Sequence, residues 1–80
     1  MMEYILGFGS SHRALKAEET LKAADLAFRL LPVPKALDAS CGLVIRVSES
    51  NLEEARSILE KAGLKPRNIY RKEGEDYVKV

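Results

Sequence analysis

Cys41 is the single cysteine of the chain, in Ala39-Ser40-Cys41-Gly42, directly ahead of the apolar run Leu43-Val44-Ile45-Arg46-Val47. One cysteine can form neither an internal disulfide nor a Cys-x-x-Cys redox or metal motif. Two readings stay open. One is a buried, inert thiol, the common fate of free cysteines. The other is a reactive thiol presented where a strand begins. The only histidine, His12, follows Gly9-Ser10-Ser11. One His and one Cys are a poor ligand set, so no metal is expected. No cofactor is expected either, because Gly7-Phe8-Gly9 lacks the third glycine of a dinucleotide-binding turn. No paired carboxylates and no Ser/His/Asp arrangement stand out.

The elements that position these residues follow from periodicity. Glu3 to Phe8 reads as a strand, with Tyr4, Leu6 and Phe8 alternating onto one face. Gly9 breaks it, and Ser10 and Ser11 supply N-cap hydroxyls for a helix from about His12 to Ala24. Its apolar stripe is Ala14, Ala17, Leu21 and Ala24, and Glu18 and Lys22 form an i,i+4 pair. Ala27 to Leu31 reads as a second strand, ended by Pro32 and Pro34, which lack the N–H a ladder needs. After a connection over 35–41, residues 42–47 form a third strand. Ser50-Asn51-Leu52-Glu53 has the pattern of a capping box opening a second helix. That helix carries the stripe Leu52, Ala55, Ile58, Leu59 and Ala62. Gly63 occupies a C′ position, with Leu64 able to pack back on Leu59. Asn68 to Arg71 is a short fourth strand. Residues 72–80 form either an extra edge strand after a Gly-containing turn or a loose tail.

The order β-α-β-β-α-β with right-handed crossovers predicts an α+β ferredoxin-like sandwich in one domain over 1–80, an antiparallel sheet with two helices on one face. In that topology the start of the third strand lies beside the end of the first. Cys41, Gly9, Ser10, Ser11 and His12 therefore converge at one end of the sheet. A helix N-terminus there offers unpaired amides and partial positive charge, which lower a thiol pKa and equally suit a bound anion. Glycines at 9 and 42 allow close approach of backbone or ligand.

Composition bounds the class. Apolar residues make up 46% and charged residues 31% of the 80 residues, a globular profile. The net charge of +1, with acids interleaved among the Lys and Arg, gives no basic stripe for nucleic acid. A third strand without aromatics argues against base stacking in the manner of an RNA-recognition motif. No apolar run is long enough for a membrane span, and the N-terminus lacks the pattern of a signal peptide. A lone unpaired cysteine fits a reducing compartment, so a cytoplasmic location is expected. An exposed edge strand would permit a homodimer.

Three blocks together carry a resemblance: Ser10-Ser11-His12-x-Ala14-Leu15-x-Ala17-Glu18, Arg29-Leu30-x-Pro32-x-Pro34, and Ser40-Cys41-Gly42. Over about Tyr4 to Tyr70 the chain resembles a family of small bacterial selenium/sulfur carrier-like proteins. Lys35 stands where that family commonly has Arg, and Gly9 where it often has Pro. The resemblance implies a carrier site at Cys41 and Gly42, with sulfur or selenium donor and acceptor proteins as partners, rather than a stand-alone enzyme. The carrier would hold a persulfide or selenosulfide, a reversible cap on a thiolate. His12 is a candidate helper of the thiol. Ser10, Ser11, Gly9, Arg29 and Lys35 are the candidate anion contacts. The competing reading is a non-catalytic ferredoxin-like module that binds a small anion or a protein partner.

Overall fold

The computed structural model describes residues 2–35, 37 and 42–80. Seven elements follow one another: β1 (Glu3–Gly7), α1 (Ser11–Ala23), β2 (Arg29–Pro32), β3 (Leu43–Ser48), α2 (Glu49–Lys61), β4 (Asn68–Glu73) and β5 (Asp76–Lys79). The strands form one sheet in the order β2-β3-β1-β4-β5, and every neighbouring pair is antiparallel. This is the expected ferredoxin-like arrangement, extended by one strand. The residues after 72 are an edge strand. Glu73 and Asp76 pair across the two-residue loop Gly74-Glu75, and Gly74 takes φ 63 there, the backbone that suits the twist of a tight hairpin. Arg71 pairs with Glu73 on this hairpin, and that hydrogen bond and charge raise the guanidinium pKa above its ordinary value.

Period-two alternation gives the sheet two different faces. Leu6, Phe8, Ile45 and Val47 point to one face and pack with Ala14, Ala17 and Leu21 of α1 and Ala55 and Leu59 of α2. All of them are at most 2% exposed. Both helices therefore cover that face. The small residues of α1 let it sit close to the sheet. Ala24, which the stripe placed in the core, is instead the exposed C-cap of α1. Ala62 is likewise the exposed C-cap of α2. The helix-free face carries a smaller cluster of Ile5, Val44 and Leu37, with Leu31, Val33, Tyr70 and Tyr77 packed against it. Leu37, from the β2–β3 connection, is buried in this cluster.

Several boundaries shift by one or two residues, β2 starting at Arg29 rather than Ala27 among them, and two shifts have a backbone reason. α2 starts at Glu49 with Ser48 as N-cap, and no side chain caps it, so the Ser50–Glu53 box is not the start. The Glu49 N–H donates to the Met2 carbonyl (3.0 Å), so the sheet end sets where the helix begins. Pro32 belongs to β2 rather than ending it, paired with Leu43. The next residue, Val33, donates its N–H to Gly42 (3.0 Å), so residues 29, 31 and 33 bond inward. Pro32 and Pro34 fall at the outward positions of an edge strand, where no ladder bond is lost.

Both helices end alike. The Gly63 N–H bonds the Glu60 carbonyl (3.1 Å) and the Leu64 N–H the Leu59 carbonyl (2.8 Å), with Gly63 at φ 74. This is the Schellman pattern that the sequence placed at Gly63. At the end of α1 the same pair of bonds runs from Asp25 to Lys22 (3.0 Å) and from Leu26 to Leu21 (3.1 Å), with Asp25 at φ 59.

Candidate functional site

The register fixes what lies at the end of β1. Gly7 pairs with Val44 on one side and with Asn68 on the other. The start of β3 and the start of β4 thus flank the exit of β1, two strand spacings apart, or about 10 Å. At this exit the chain turns through Gly9 at φ 82. At φ 82 the backbone disfavours any residue but glycine, and a Cβ on Gly9 would lie 3.1 Å from both Cδ and Nη1 of the exposed Arg67 side chain, which would have to shift. Ser10 then caps α1: its backbone is extended, and its Oγ accepts a bond from the Arg13 N–H (3.2 Å). Ser11 and His12 follow in the exposed first turn.

On the other side, Gly42 is exposed and precedes β3, and its carbonyl accepts the Val33 N–H. A Cβ built on Gly42 meets nothing within 4 Å, so open space surrounds that side of the backbone. The Val33–Gly42 bond closes the base of the connection. Leu37, at 9% exposure, anchors its middle on the helix-free face. Cys41 itself, with Ser40, lies outside the described residues.

Of the candidate residues, Gly9, Ser10, Ser11, His12 and Gly42 come together at this end of the sheet. Lys35 is exposed on the same connection that carries Cys41. Arg29 does not join them. It pairs with Arg46 toward the opposite end of the sheet, beside Glu3 and Asn51. His12 lines the groove between the helices together with Arg13, Lys16, Thr20, Gly63 and Leu64. Among the described residues, no group of His, Cys, Asp and Glu is arranged to hold a metal ion.

The structure adds residues that the sequence reading did not single out. Arg13, Lys65 and Arg67 line one depression with Phe8 and Pro66. The signal was available in the topology: the rule that brings the start of the third strand to the end of the first brings the start of the fourth there as well. The site end of the molecule therefore carries Gly42, which follows Cys41 in sequence, on one flank, a capped helix N-terminus at its centre, and a cationic depression on the other flank.

The chain is an α+β, ferredoxin-like sheet whose third strand begins one residue after Gly42. Residues 3–71 match the family described as Putative Se/S carrier protein-like, and the chain belongs to that family. The match spans β1 to β4 and includes Cys41 and Gly42. No curated protein and no solved structure matches the chain. Membership of a carrier family implies interaction with other proteins. Among the described residues, no helix is long and apolar enough to cross a membrane.

Proposed function

We propose that the protein carries sulfur or selenium on Cys41, as a persulfide or selenosulfide, and passes it to an acceptor protein. The observation that carries this reading is the family match over residues 3–71, which contains the one thiol of the chain. The reaction needs little machinery. The Cys41 thiolate attacks the outer chalcogen of a donor persulfide or selenosulfide. The bond to that chalcogen forms as the bond to the donor sulfur breaks, and the donor leaves as a thiolate. Transfer to the acceptor repeats the step with the roles exchanged. No oxidant is consumed, because the chalcogen moves without a net change in electron count.

The requirements are an accessible thiol and a setting that favours its thiolate. Gly42, the sequence neighbour of Cys41, lies at the same end of the sheet as the α1 N-terminus, and that supports both. The open space at Gly42 supports approach of a partner's chain. His12 is proposed as a secondary contributor: it lines the groove between the helices, and the α1 amides are a donor set independent of its protonation. The side chain of Ser10 acts as a cap. Lys35 is proposed as an anion contact on the connection, whereas the placement of Arg29 toward the other end gives it no support in that role.

The test is the mass of the protein as isolated from cells, before and after mild reduction. A labile sulfur or selenium mass on wild type, absent from Cys41→Ser, is expected. A companion measurement is the pH dependence of alkylation by iodoacetamide, with its midpoint expected below the free-thiol value of about 8.5. A midpoint at or above that value, with no labile mass on the wild-type protein, would return Cys41 to the class of inert cysteines. Full function in the Ser variant would favour the non-covalent binding module.

A further inference from the structure

Arg13, Lys65 and Arg67 stand fifty or more positions apart in two groups, yet they border one depression of about 430 Å³ floored by the buried Phe8 and Pro66. Its lining contains three cations and no carboxylate. Over the whole chain acids and bases nearly balance. Arg46, Arg56 and Arg71 each pair with a glutamate, namely Glu3, Glu53 and Glu73. Among the described residues, neither Arg13, Lys65 nor Arg67 has such a partner. The Arg13 Nη2 donates to the Gly63 carbonyl (3.3 Å), at the end of α2. The Arg67 side chain reaches over the β1–α1 turn, its Cδ and Nη1 each 3.1 Å from where a Cβ on Gly9 would sit. Its own N–H bonds the Gly7 carbonyl (2.8 Å), which fixes the backbone from which it reaches.

We propose that this depression is an oxyanion-binding site for a tetrahedral dianion of the phosphate or sulfate class. Arginine presents a planar fork of donors that matches such groups two bonds at a time. Two arginine forks and a lysine supply several charged donors, in a lining without competing carboxylates. The site is separate from the covalent chemistry of Cys41 and does not depend on it. It also differs from the α1 N-terminus, since the donors are side chains from α1 and from the α2–β4 connection.

The same group can reach the site as a free anion, as a phosphate monoester or within a nucleic-acid backbone. The experiment separates these sources. Isotope-labelled protein is titrated with sodium phosphate, sodium sulfate, glycerol phosphate and a short oligothymidylate, all at constant ionic strength, and amide and arginine side-chain shifts are followed. Saturable shifts confined to residues 8–13 and 63–67 are expected with phosphate, sulfate or glycerol phosphate. The double variant Arg13→Gln/Arg67→Gln should weaken binding about ten-fold or more. Arg29→Gln, an exposed cation elsewhere, and Cys41→Ser should leave binding unchanged. All these positions apart from Cys41 are exposed, and a well-dispersed amide spectrum verifies that each variant is folded. Three outcomes overturn the proposal: shifts that grow linearly and match those in sodium chloride, equal weakening by Arg29→Gln, or binding of the oligothymidylate alone with shifts spread over the other cations.

Discussion

The two ends of the sheet are finished to different standards. At the end where β1 exits, α1 begins on a serine whose hydroxyl caps it, and α2 ends on a glycine at φ 74. At the opposite end, α2 begins on Ser48 without a side-chain cap, and α1 ends on Asp25, a non-glycine residue at φ 59. The hydrogen-bond patterns closing the two helices are the same; the residues chosen for them are not. An L-residue in the left-handed region costs roughly 1–2 kcal/mol, somewhat less for Asp. The helix caps at the site end are thus the better fitted, and the far end retains slack that substitutions can remove.

The comparison breaks first if chemistry is not confined to the site end. Cys41→Ser should lose all labile chalcogen while its thermal melting curve stays close to wild type; a labile mass persisting on the variant would put the carrier function elsewhere. Next in size is the anchor of the connection. Leu37→Ala should cost about 2 kcal/mol in urea unfolding, the low end for a buried leucine because the residue sits at the margin of a small cluster. A cost near zero would mean that Leu37 does not hold the connection. Gly63→Ala should cost about 1–2 kcal/mol, all of it conformational, since a Cβ there meets nothing within 4 Å. Ser10→Ala should cost about 1 kcal/mol, and Ser48→Ala only a few tenths. Equal losses for the two serines would erase the contrast between the helix starts. The smallest effect has the opposite sign. Asp25→Gly should gain about 0.5 kcal/mol, the relief at φ 59 outweighing the added freedom of the unfolded chain. A loss on this substitution would show that Asp25 does more than close the helix.

Much of this was legible in the sequence because the signals were local. Tyr4-Leu6-Phe8 and Leu43-Ile45-Val47 alternate as strands that bury one face, and Ala14, Ala17, Leu21, Ala55 and Leu59 recur at helical spacing. Gly63 announced the end of α2. The errors have one origin, contacts between segments distant in sequence. Ser50–Glu53 spells a cap, but the Met2 carbonyl starts the helix a turn's fraction earlier. Pro32 looks like a strand breaker, but an edge position with an outward-facing nitrogen tolerates it. The convergence of Gly9 to His12 with Gly42 could be reasoned from topology. Arg29 and Lys35 lie nearer to Cys41 in sequence than Arg13, Lys65 and Arg67 do, yet the register sets Arg29 opposite Arg46, at the other end of the sheet from Gly42.

The prolines of β2 have a consequence for how copies of this chain can join. A strand adding to that edge would need amide donors at 32 and 34, and neither residue has one. The other border of the sheet, β5, keeps its outward amides and exposes Val78 and Val80. Edge-to-edge growth requires two open borders per molecule, and this sheet has one. Two chains can meet through β5, whereas the β2 border, with prolines at two of its outward positions, is poorly suited to take a further strand, and this disfavours growth into a filament.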